Sequence, residues 1–154
     1  MNAHVNDPAV IRDLLTTRAP WAVVGLSDNP DRTAYGIALF LQRELGMRII
    51  PIHPRASTVH GAPGFATLHD VPDGTVVKVV DFFVNSTRVG AVVDEAIAEK
   101  DRLGIQAIWL QLGVIDEAAA QRAEAAGLAV VMDTCPKIEF PRLMPGDGSN
   151  AVTD

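Results

Sequence analysis

The chain has 154 residues, of which 48% are hydrophobic, 21% charged and 5% aromatic, with a formal net charge of -6. This is the balance of one folded domain rather than of a disordered chain. The acidic balance excludes the basic face of a nucleic-acid binder, but not a phosphorylated small molecule, which a few Arg residues and a helix N-terminus can hold.

Cys135 is the one cysteine, which excludes an intramolecular disulfide and argues against a cysteine-built zinc site. The start "MNAHVNDPAVIRDLL" lacks the basic-then-apolar pattern of a secretory leader. No apolar stretch approaches the roughly 18 residues of a membrane span. A soluble, cytoplasmic protein is therefore expected, with no membrane partner.

In chain order, Asp7-Pro8 signals a helix start: an Asp N-cap with Pro at the first helical position. Val10, Ile11, Leu14 and Leu15 follow at helical spacing, which predicts a capping helix within residues 1–20. Ala22–Leu26 is a short, wholly apolar run, as in a strand covered on both faces. Ala34–Leu45 carries Ile37, Ala38, Leu41 and Leu45 on one helical face, closed by Gly46. Arg48–Ile52 reads as a second strand, with Pro51 suited to a strand end or an edge.

Ser57–Thr75 is loop-rich, with room for one short strand in "FATLHDVP". Val76–Val84 is the third strand expected, and Ser86–Leu103 a helix with Val89, Val92, Val93, Ala96 and Ile97 inward. Ile105–Leu112 is a further strand, Asp116–Ala126 an alanine-rich helix ended by Gly127, and Leu128–Met132 the last strand. Strands alternating with helices predict a single Rossmann-like, doubly wound α/β domain over residues 21–143. Its sheet is expected to be mostly parallel, of five or six strands, with helices on both faces. Residues 144–154 read as a flexible tail.

In such sheets ligands bind beyond the carboxyl ends of the strands. Those ends carry Gly25-Leu26-Ser27, His53-Pro54-Arg55, Val84-Asn85-Ser86, Gln111-Leu112-Gly113 and Thr134-Cys135-Pro136-Lys137. The first turn leads into a helix N-terminus, where backbone N–H groups, Ser27 and Arg32 suit an anionic phosphate. The same residues also fit a simple turn, a helix cap and a solvated Arg. The second turn lacks the acid that receives a ribose in NAD-binding folds. That disfavours NAD and leaves open NADP or a nucleotide with a 3′-phosphate.

Cys135 beside Lys137 fits either a small buried hydrophobe or a reactive thiol. Trp109 and Gln111 alternate on one strand, Gln111 being placed to hydrogen-bond a base or an amide. Ser27 lacks the second glycine of a hydrolase elbow, and Gly25 does not open a P-loop. His4, His53, His60 and His69 show no metal-ligand spacing, and no pair stands out as acid and base.

Four stretches resemble, in order, the stand-alone CoA-binding domain family: "VVGLSDNPDRTAYGIALFLQ", "RIIPIHP", "VVDFFVNSTRV" and "AIWLQLGVIDEAAAQRAEAAGLAVVMDTCPKIEFPRL". That family is similar to the CoA-binding domain of succinyl-CoA synthetase alpha subunits. The resemblance runs from about Val10 to Leu143. Its motifs are G-[LV]-S with P-x-R-x-x-[YH], the P-x-[NH]-P turn, W-x-Q-x-G and D-x-C-P-K. The family usually has Asn at the place of His53, and often Lys near Arg55.

The resemblance implies coenzyme A, or an acyl-CoA, as the ligand; it does not imply synthetase activity. It implies that Gly25, Leu26, Ser27 and Arg32 hold the diphosphate, and that His53, Pro54 and Arg55 face the 3′-phosphoadenosine. Phe83, Val84 and the Gln111 end of its strand would wall the adenine, with Gly113 a further candidate contact, while Tyr35 and Gly36 would let the pantetheine arm or the phosphates approach closely. Arg88 is a further candidate contact. Two other readings stay open: a thiol-redox or CoA-transferring enzyme acting through Cys135, and an NAD(P)-dependent oxidoreductase or redox sensor.

Overall fold

The structure, a computed structural model, describes residues 3–143; the tail expected at 144–154 lies outside them. Five strands form one wholly parallel sheet: β1 (Pro20–Val24), β2 (Arg48–Ile52), β3 (Val79–Phe82), β4 (Ala107–Leu110) and β5 (Ala129–Met132). Their order is β2-β1-β3-β4-β5, so the direction of winding reverses between β1 and β3. Every position of β3 and β4 is buried, as two-sided cover requires.

Two apolar layers enclose the sheet. On one face, α3 (Ser86–Leu103) and α4 (Glu117–Ala125) bury Val89, Val93, Ala96 and Ala120 against Ala22, Val80 and Ile108. On the other, α1 (Pro8–Thr16), α2 (Thr33–Arg43) and α5 (Pro136–Leu143) cover Trp21, Val23, Trp109 and Val131. Trp21 and Trp109 lie with ring centroids 5.7 Å apart, and the Trp109 indole N–H donates to the Thr134 carbonyl at 2.9 Å. The capping helix α1 packs on this second face, alongside α5.

Local chemistry sets the element ends. The Asp7 side chain accepts from the Ala9 N–H, with Pro8 opening α1. Asn85 and Asp116 cap α3 and α4 in the same way, and Gly104 ends α3 in the left-handed conformation.

Two expectations need correction, and one element went unforeseen. The third strand is shorter than Val76–Val84, because only Val79–Phe82 is in register with both neighbours. The segment "FATLHDVP" holds no strand; Leu68–Asp70 is a 3-10 turn. There Thr67 accepts from the Asp70 N–H, and the Arg102 guanidinium gathers the carbonyls of Leu68, His69 and Val71. Only Phe65 pairs with the sheet, bridging Ile52. Finally, Pro136–Leu143 is a helix that Pro136 and Pro141 hide in the sequence.

Both edge strands are partly blocked. Pro51 lies on the edge strand β2, and its carbonyl accepts from Phe65 N–H on the outer side. A residue's N–H and C=O point the same way along a strand, so the N–H that Pro51 lacks is on the open edge. At the opposite edge, the Asn6 side-chain amide donates to the Met132 carbonyl and accepts from the Met132 N–H, both at 2.9 Å.

Candidate functional site

The winding reversal opens a crevice above β1 and β3, where such folds bind ligands. Gly25 ends β1 with φ +94°, and its N–H donates to the Ile52 carbonyl at 2.8 Å. A Cβ at Gly25 would collide with the Phe83 carbonyl, so β3 comes as close as a backbone can. Leu26 is fully buried in the α2-side core, which leaves only its backbone to face the turn. Ser27 is buried, and its hydroxyl accepts from the Asn29 N–H. Helix α2 then begins with no side-chain cap and no acid in its first turn, so its N-terminal N–H groups are free of a side-chain acceptor.

Three clefts meet at this turn, of about 490, 450 and 250 Å³. Gly25 and Arg32 line all three. The largest lies on the β2 side, between His53, Pro54, Thr67 and the α3 residues Arg88, Val92 and Glu95. The second lies on the β4 side, between Thr33, Ala34, Gln111 and Gly113. Phe83 and Val84 separate these two and wall both. The smallest is polar, enclosed by Gly25, Ser27, Asn29, Arg32, His53 and Arg55.

Three cations gather at the turn, while Asp31 lines the β4-side cleft and Glu95 the β2-side cleft. Arg32, Arg55 and Arg88 are exposed, and among the described residues none of the three makes an ion pair. The His53 Nδ1 accepts from the Arg55 N–H at 3.2 Å, which leaves Nε2 toward solvent or ligand. Guanidinium groups beside uncapped backbone N–H groups make an anion site.

The clefts divide residues that the sequence reading grouped. Gln111 and Gly113 lie on the β4 side, away from His53 and Pro54. Gln111 is only 5% exposed, and its Oε1 has no hydrogen-bond partner among the described residues. Gly113, at φ +84°, donates its N–H to Asp133 Oδ1 at 2.8 Å. Tyr35 and Gly36 line none of these clefts: Tyr35 stacks on His60 at 4.3 Å, and Gly36 is exposed with nothing near its absent Cβ. Cys135 is 6% exposed, at the start of α5, and also lies outside the three clefts.

Two acids escaped the sequence reading. Asp81 is fully buried on β3 between Val23 and Trp109, and among the described residues no side chain partners either carboxyl oxygen. Burial pushes its carboxyl well above the ordinary carboxylate range. Its signal is a charge inside the apolar run "VVKVVDFFV". Glu95 faces the β2-side cleft and is also raised, first by burial. It is placed there by its spacing of three from Val92 and seven from Arg88 along α3.

The sequence pattern of the family described as CoA binding domain matches residues 19–141. The chain belongs to that family. It is 33% identical over 130 residues to the uncharacterized protein YneT of Bacillus subtilis (strain 168), covering 84% of this chain and 91% of that one. A hypothetical protein from Pyrococcus horikoshii OT3 superposes with a TM-score of 0.79 at 29% identity, over 94% of this chain and 99% of its own. The same fold also recurs within a larger protein. The acetyl-coenzyme A synthetase 1 of Ca. Korarchaeum cryptofilum matches 78% of this chain with 27% of its own, at a TM-score of 0.62 and 24% identity. At that identity the likeness shows the fold alone.

Proposed function

We propose that this CoA-binding domain protein binds coenzyme A, or an acyl-CoA, through the turn after β1, as a binding protein without catalysis of its own. One observation carries the reading: Gly25 and Arg32 are shared by all three clefts. Coenzyme A has three parts that meet at its phosphates: a 3′-phosphoadenosine, a diphosphate and a pantetheine arm. A ligand of that shape needs one central anion site with an arm on either side.

The diphosphate belongs at Gly25–Ser27, against the α2 N-terminus and Arg32. The 3′-phosphate belongs with His53 and Arg55, and the adenosine in the β2-side cleft against Pro54, Phe83 and Val84. The pantetheine arm then runs through the β4-side cleft. Gln111 and Gly113 line its path.

Isothermal titration tests the reading. CoA should give a saturable isotherm, with NADH and NADPH binding much more weakly. No heat with CoA at millimolar concentration, under conditions where the protein is folded, overturns it.

A further inference from the structure

The β2-side cleft changes character along α3. Arg88, Val92 and Glu95 are spaced by four and then three residues, so they share one helical face. All three line the cleft. At 1.5 Å of rise per residue, Glu95 stands about 10 Å along the helix from Arg88. The end nearest Gly25 is cationic, with Arg32 and Arg88; the middle is apolar, with Val84 and Val92. The far end presents Glu95.

The Glu95 carboxyl is half-buried and, among the described residues, makes no ion pair. Its helical neighbour Glu99 is engaged by His69 and Arg102, so no cation is left over for Glu95 on that side. Among the described residues no side chain donates to it and the His69 backbone lies beside it, which leaves acceptor capacity toward the cleft. Burial disfavours its charged form, and Glu99 and Asp70 add to this. A carboxylate so placed gains from a ligand N–H donor.

We infer that Glu95 engages the base of the bound nucleotide, accepting a hydrogen bond from the exocyclic amine of adenine at the far end of the β2-side cleft. This rests on the CoA reading above and adds to it the residue that engages the edge of the adenine. The exocyclic amine of adenine is a donor that a carboxylate takes up.

The test is titration of the intact protein with CoA and with etheno-CoA, whose adenine amine is closed into a ring and donates no hydrogen bond. The unsubstituted protein should bind etheno-CoA about tenfold more weakly than CoA, the loss of one hydrogen bond to a charged group. Glu95→Ala should bind both with one affinity, near that of the unsubstituted protein for etheno-CoA. Glu95→Gln, whose side-chain oxygen still accepts from adenine, should keep a preference for CoA. Equal affinities in the unsubstituted protein, or a preference undiminished in Glu95→Ala, overturn this inference while leaving the CoA reading intact. Binding of neither ligand overturns both.

Discussion

The carbonyl of Phe83 occupies the space that a side chain at Gly25 would need. Strand ends β1 and β3 are thereby in backbone contact at the point where the three clefts join. Gly25→Ala meets two costs: the collision with Phe83, and a φ of +94° that L residues rarely adopt. The backbone penalty alone is about 1–2 kcal/mol. Chemical denaturation should show at least that loss. CoA titration should show weakened binding, because relief of the clash moves the turn.

Arg32 should separate binding from stability. It begins α2 without making a side-chain cap bond, is exposed, and has no ion pair among the described residues. Arg32→Ala should leave the melting temperature within about a degree and weaken CoA by roughly tenfold to a hundredfold, the range of a lost charge-assisted phosphate contact. The residual affinity should also depend less steeply on salt. Undiminished affinity would place the phosphates elsewhere.

Asp81 should make the protein less stable as pH rises. Its folded-state pKa lies above the unfolded value, because burial disfavours the carboxylate. Below the unfolded value, about 3.9, both states hold the proton and there is no penalty. Above it the unfolded chain releases the proton first, so unfolding gains until the folded-state pKa is passed. Asp81→Asn keeps the shape and removes the charge. Its stability advantage over the unsubstituted protein should be near zero at pH 4 and grow by up to about 1.4 kcal/mol per pH unit above that. Denaturant titrations at several pH values check this; a constant difference would contradict it.

The outline of the fold was legible because both the apolar runs and the caps are regular. Ser86–Leu103 was read to the residue, since Asn85 and Gly104 bracket an unbroken helical face. The edge position suggested by Pro51 agrees with the strand order. What escaped depends on distant partners. Leu68–Asp70 curls because Arg102, more than thirty residues away, holds its carbonyls. Helix α5 carries two prolines, and it folds where Phe140 can meet Phe40 at 6.3 Å. At the candidate site, the cation-rich turns were visible as strand ends. The division of Gln111 from His53 was not, because it is made by Phe83 and Val84 standing between two clefts. Asp81 and Glu95 were hidden for opposite reasons: one sits in a strand that otherwise reads as core, the other on a helix rich in ordinary surface charge.

Asn6 should matter more than its position near the chain start suggests. Its amide makes both a donor and an acceptor bond to Met132 and also accepts a contact from His4 Nε2 at 2.9 Å. Asn6→Ala leaves the Met132 N–H and C=O without these partners and should cost about 1–2 kcal/mol. Hydrogen exchange at the Met132 amide should quicken more than at the central strands.

Asn6 and Pro51 also bear on how the molecule behaves in a crowd. A parallel sheet has two rims, and a long unpaired rim is a template on which a second chain can add a strand. Here one rim is interrupted by a residue with no hydrogen to give and by the Phe65 bridge, the other by an amide that imitates a passing peptide. What stays open on either side is too short for an intermolecular ladder. The fold therefore resists edge-to-edge aggregation without a charged edge strand, and Asn6→Ala is the change that should expose it to fibre-like association on heating.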